Sequence, residues 1–194
     1  MPNWCANEIT IQHKDPAMID RAFAAMNKQE FLNEFVPMPE DFNITADETL
    51  SDEGKTAQVE AQENHNLEKH GHKTWYDWCV NNWGTKWDVG DDDCTVKVDA
   101  NTIEASFDSA WAPPIAAYEK LVAMGFEITA YYDEPGVGFC GKWTGSADGI
   151  DDDFRDYEGE TSETVRDVIG EELDDHFGIS ENMAVMEDLD DRDD

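Results

Sequence analysis

Between Thr74 and Pro114 the sequence TWYDWCVNNWGTKWDVGDDDCTVKVDANTIEASFDSAWAPP changes its apolar period twice, and those changes restrict the folds open to the chain. Trp75, Trp78, Cys79 and Trp83 recur at helical spacing. Thr74 with Asp77 forms a capping pattern ahead of them, and Gly84 suits the left-handed residue that ends a helix. Cys94, Val96 and Val98, then Ile103, Ala105 and Phe107, alternate with polar residues on either side of Asp99-Ala100-Asn101. That pattern is an antiparallel hairpin with one buried face. Pro113 and Pro114 then open another helix. Because the stretch also holds five of the seven tryptophans, a core is expected to nucleate here, with Trp75, Trp78 and Trp83 as scaffold.

The flanks supply the remaining elements. Trp4 to Ile11 alternates at period two and reads as a first strand, and Asp15-Pro16 is a cap followed by a residue preset for a first helical turn. Ile19, Ala22, Phe23 and Met26 share one face of that helix. Phe31, Leu32 and Phe35 suggest a short helical turn, which VPMPEDF terminates. Residues 41–73 are polar and read as an insertion, partly helical between Lys55 and His70. Beyond the hairpin come a helix through Ile115, Tyr118, Leu121 and Val122, a strand over Phe126 to Tyr132, a Glu134-Pro135-Gly136 turn and a strand over Val137 to Trp143. This order predicts an α+β fold of the split βαβ, ferredoxin-like kind, a mostly antiparallel sheet with helices on one face.

The segments MPNWCAN, WGTKWD, FDSAWAPP and FCGKW together resemble the YubB ferredoxin-like family carried by phages and plasmids, over residues 1–143. The resemblance implies the same fold and a mobile-element origin. It implies no activity, because none of these motifs is catalytic by its chemistry.

After residue 143 the composition shifts. Residues 144–194 hold 20 acidic and 3 basic side chains, and the whole chain carries a net charge of −33. A Gly- and Asp-rich linker is expected first. An amphipathic helix capped by Ser162 follows, with Val165, Val168, Ile169, Leu173 and Phe177 on one face; then comes a short helix from Ser180 and a disordered DLDDRDD end. The reading is therefore a ferredoxin-like domain at 1–143 and an acidic helical extension at 144–194.

Such a charge repels phosphate backbones and anionic membranes and attracts basic partners over a Debye length of about 8 Å. Carboxylates four apart on one helix lie about 6 Å apart along its axis, too sparse alone to imitate duplex DNA with one charge per about 1.7 Å. The expected function is an acidic, phage- or plasmid-encoded inhibitor of a basic, nucleic-acid-handling host protein, a defence system for example, acting by partial DNA mimicry. Its partner-binding residues are expected at Asp151, Asp152, Asp153, Asp156, Glu163, Asp167, Glu171, Glu172, Asp174 and Asp175. A self-associating scaffold is the alternative, and a metal-dependent enzyme a weaker one. No nucleophile elbow, phosphate loop or zinc-hydrolase motif is present, so no catalytic residue, metal ligand or cofactor is assigned. His65, His70 and His72 are too irregularly spaced to read as a metal site, and neither Asp91–Asp93 nor Asp151–Asp153 matches an EF-hand. Four dispersed cysteines without a CxxC pair, no leader-like start and no apolar run near ~20 residues point to reduced thiols and the host cytoplasm.

Overall fold

A computed structural model describes residues 3–44 and 49–193. The alternation in the N-terminal segment forms β1 (Trp4–Gln12), and the hairpin forms β2 (Thr95–Lys97) and β3 (Thr102–Ala110). β4 (Glu127–Glu134), β5 (Phe139–Ser146) and β6 (Gly149–Asp156) follow. All pairings are antiparallel, in the order β2-β3-β1-β4-β5-β6. The first four strands with their crossovers are the ferredoxin-like arrangement. β5 and β6 widen it beyond β4.

Period-two alternation gives this sheet two distinct faces. The inner one carries Cys5, Ile9 and Ile11 of β1, Ile103, Ala105 and Phe107 of β3, Ile128, Ala130 and Tyr132 of β4, and Trp143 of β5. Against it pack α1 (Pro16–Met26), α2 (Phe31–Phe35), α4 (Trp75–Asn82) and α5 (Ile115–Ala123). Asp15 caps α1 by accepting from the Ala17 N–H, and Thr74 caps α4 by accepting from the Asp77 N–H. Trp78 and Trp83 are buried as scaffold, ring to ring at 5.6 Å, and the Trp83 indole N–H donates to the Val36 carbonyl at 2.8 Å. The polar insertion is organised by α3 (Asp52–His70), which Asp41 anchors: its side chain binds Lys69 and His70, and its carbonyl accepts from Gln62 and Asn66.

The chain differs from expectation after residue 143. The segment expected as a linker is β6, paired to β5 from Gly149↔Ser146 to Asp156↔Phe139. Its run of aspartates hides the strand from a reading by propensity, but an edge strand tolerates charge on both faces because every residue of β6 is exposed. The single amphipathic helix is broken at Gly170, whose φ of 85° ends α6 (Val165–Ile169) and starts α7 (Glu171–Phe177). α8 (Ile179–Asp193) is longer than the short helix expected and takes in residues expected without regular structure. The apolar stripe of these helices, Val165, Ile169 and Leu173, packs with Cys140, Tyr157 and Ile179 in a second core on the outer face. Helices therefore lie on both faces of the sheet, not on one.

Trp143 is 1% exposed and packs against Tyr118 with ring centroids 5.5 Å apart. Trp143→Ala is expected to lower stability by about 3–5 kcal/mol in urea denaturation; a loss below about 1 kcal/mol would contradict this packing.

Candidate functional site

The outer face of the sheet brings charged side chains of several strands together. Residues directly opposite on neighbouring strands share a face, so the register sets out three rows across it. Asp108, Ala6, Asp133, Cys140 and Arg155 form one; Ser106, Glu8, Tyr131, Lys142 and Asp153 the next; Glu104, Thr10, Thr129, Thr144 and Asp151 the third. The C-terminal helices cover the β4–β5 side. Glu172 of α7 accepts from the Tyr131 hydroxyl at 2.7 Å and from Lys142 at 2.5 Å, and His176 stacks on Tyr131 at 4.0 Å and meets Glu8 at 3.1 Å. The β1–β3 side stays open. A groove of about 390 Å³ runs there between α7 and β2, lined by Glu8, Thr10, Glu104 and Ser106. Glu104 and Asp108 are exposed and have no ion-pair partner among the described residues.

The acids singled out from sequence do not form one surface. Asp174 is 2% exposed and structural: burial alone would push its carboxyl up, but the Ser180 N–H and hydroxyl and then Arg166 outweigh burial and hold it below the usual range. Arg166 also reaches Asp175 at 2.8 Å and Glu171 at 3.4 Å. Glu172 is engaged by Lys142 and Tyr131, which hold its carboxyl low. On β6, Asp152 and Asp156 project to the inner side, where Asp152 accepts from the Tyr132 hydroxyl at 2.7 Å and Asp156 from the Glu158 N–H. Gly141 is required beneath that first bond, since a Cβ there would lie 2.3 Å from the Tyr132 oxygen. Asp153 pairs with Arg155. Asp151, Glu163 and Asp167 are exposed and unpaired among the described residues.

An aromatic surface, missed in the sequence, adjoins the open face. Trp4, Trp75, Tyr76, Trp87 and Trp111 are each 38–48% exposed. Lys86 lies among them, its ammonium 4.4 Å from the Trp87 ring centroid and 5.4 Å from that of Trp111. Trp111 holds a left-handed backbone at φ 67°, a conformation that costs energy in a non-glycine residue. Helical spacing placed Trp75 with Trp78 and Trp83. Only the last two are buried, because α4 turns Trp75 away from the sheet toward Tyr76.

Other candidate ligands resolve locally. His70 is held by Asp41, whose carboxyl is pulled down to about 2 by the Lys69 and His70 hydrogen bonds. Asp91, Asp92 and Asp93 bring their carboxylates within 4.8 Å of one another on the surface, the one cluster of metal-ligand type among the described residues. No helix among those residues is long and apolar enough to cross a membrane.

The family model described as the ferredoxin-like domain in Api92-like protein matches residues 82–179, from the end of α4 through β6 and α7. The chain belongs to this family. The acidic segment up to Ile179 is thus part of the Api92-like match, although the resemblance read from sequence stopped at 143. A crystal structure of the protein Api92 from Yersinia pseudotuberculosis aligns over 82% of this chain and 99% of its own, at 12% identity and a TM-score of 0.43, a likeness too low to carry argument. No curated protein matches the sequence.

Asp133 shows what burial does to this face. Burial pushes its carboxyl up to about 6, against the Tyr157 hydroxyl donating at 2.7 Å and with Glu134 adding to the rise. A folded pKa above the unfolded ~3.9 means a contribution to stability that is complete below about pH 4 and lost as pH rises through about 6. Urea unfolding should therefore show the wild type losing stability relative to Asp133→Asn between about pH 4 and pH 7. A difference independent of pH would contradict the burial.

Proposed function

We infer that the protein binds a basic, nucleic-acid-handling partner through the open outer face and inhibits it by covering its nucleic-acid-binding surface. One observation carries the reading. Nucleic-acid-binding sheets of this kind present aromatic side chains amid basic charge, whereas this sheet presents Trp4 one row from Asp108, with Glu8 and then Glu104 further along the same face. The surface suits a cationic partner.

Partial DNA mimicry needs charge spread over a surface, and the register sets acidic side chains on neighbouring strands where one helix offers a single line of them. Glu8 stands diagonal to both Glu104 and Asp108, about 7–8 Å from each. Asp151, on the same face of β6, and Glu163 and Asp167 beyond it add charge that no ion pair among the described residues offsets. The likeness of MPNWCAN, WGTKWD, FDSAWAPP and FCGKW to the YubB family favours a phage- or plasmid-borne origin, and with it a host defence protein as target. Work in the host cytoplasm fits a chain with three buried thiols, Cys5, Cys79 and Cys140.

Self-association is the second reading, favoured by Val185, Met186 and Leu189 on α8, which are 49–61% exposed. Catalysis has less support. The perturbed Asp133 lies in a groove of about 840 Å³ beside Tyr157 and Glu158, but no nucleophile–base pair accompanies it.

Capture from host lysate on immobilised protein should retain a basic protein that elutes as salt rises, and added protein should block that partner's binding to nucleic acid. The variant Glu8→Gln/Glu104→Gln/Asp151→Asn should bind it about tenfold more weakly, or about 1.4 kcal/mol. Equal binding by the variant, or no salt-sensitive partner, would overturn the reading.

A further inference from the structure

We propose that the groove lined by Trp4, Trp87, Asp91 and Asp108 is a binding pocket for an arginine side chain, the anchor by which a basic partner is held. The proposal rests on the reading of a basic partner above and supplies what diffuse charge lacks, a point of specific recognition.

The pocket is built from two elements that the fold fixes independently. Trp4 starts β1 opposite Ala110 of β3, and Trp87 stands on the loop between α4 and β2. Their ring centroids lie 5.8 Å apart with planes tilted by 32°, and the groove they line holds about 270 Å³. Asp91 and Asp108 line it as well, and Asp108 is exposed without an ion-pair partner among the described residues.

The loop is held rigidly. Asp88 accepts from the N–H groups of Leu32, Asn33 and Val89, tying the loop to α2. Gly90, at φ 141°, passes so close to α1 that a Cβ would lie 2.3 Å from the Met26 carbonyl oxygen. Trp87 and Asp91 are therefore presented on backbone that is fixed before any ligand arrives, which lowers the ordering cost of binding.

The chemistry selects a cation with a flat face. Indole faces attract cations, and Trp87 already has one, since the Lys86 ammonium lies 4.4 Å from its ring centroid without lining the groove. Between indole and carboxylate a guanidinium does two things at once. It stacks flat on the ring and donates in a fork to the carboxylate, whereas a compact, strongly hydrated ammonium meets either group as a point charge and has no planar fork that engages both. Tryptophan and arginine are also among the residues enriched where binding energy concentrates at interfaces. Nucleic acid is disfavoured in the same groove, because Asp91 and Asp108 would face its phosphates.

The test uses the full-length protein and two short peptides of equal length and charge, tetra-arginine and tetra-lysine, followed by tryptophan fluorescence at physiological salt. Tetra-arginine should bind about tenfold more tightly than tetra-lysine. Trp4→Ala and Asp108→Asn, both at exposed positions, should each reduce arginine binding to the lysine level, while Glu127→Gln, at the start of β4, should leave the preference intact. Equal affinity for the two peptides, or a preference that survives both Trp4→Ala and Asp108→Asn, would overturn the pocket. The partner capture separates the two claims. If Trp4→Ala retains the captured partner fully, the pocket fails and the basic-partner reading stands; if tetra-arginine binds as expected but no basic partner is captured, the reverse holds.

Discussion

The register of β1 between β3 and β4 is the constraint on which the rest of the structure depends. Cys5, Ile9 and Ile11 point to the inner core only because Ile9 lies opposite both Ala105 and Ala130. A slip of one residue would send Glu8 and Thr10 into that core and the isoleucines into water. The same register places Glu8 diagonal to Glu104 and Asp108 and brings Trp4 beside the loop that carries Trp87. The inner pattern folds the chain. The outer pattern, its complement, makes the charged surface, so the fold and the proposed site follow from one pairing.

The C-terminal segment decides how much of that surface is available. Val165, Ile169 and Leu173 close a second core over Cys140 and Tyr157, and α7 is fastened to β4 and β5 through Glu172 and His176. Because these contacts end at Tyr131 and Glu8, the β1–β3 half of the outer face remains accessible. Several acidic side chains are thereby structural. Asp174, Asp175, Glu171 and Glu172 hold the helices through Arg166 and Lys142, whereas Glu104 and Asp108 on the sheet are exposed without an ion-pair partner among the described residues.

Period and capping made β1, α1, α4 and the hairpin legible as elements, since Asp15-Pro16, Thr74 with Asp77 and the alternation around Asp99 each act within a few residues. The buried side of β2 was not: Cys94, Val96 and Val98 are exposed and Thr95 is buried, because Val96 pairs with Glu104 on the outer face. β6 was not legible, because Asp151, Asp152 and Asp153 have poor strand propensity and its stability comes from pairing with β5. Nor was the break at Gly170, where the apolar spacing continues across a residue whose backbone does not. The place of the candidate site was not legible. Excess acid pointed to a basic partner, yet which carboxylates face outward together depends on long-range register, and the exposure of Trp4, Trp75, Trp87 and Trp111 depends on which neighbours the fold gives them.

If a basic partner covers the open outer face as proposed, carbodiimide footprinting of carboxyl groups reads the contact out residue by residue. Labelling of the protein alone and in complex with its captured partner, read by mass spectrometry, should show Glu8, Glu104 and Asp108 protected in the complex, with Glu127 and the acids of α3 unchanged. Protection confined to α8, or unchanged labelling of Glu104 and Asp108, would contradict the account.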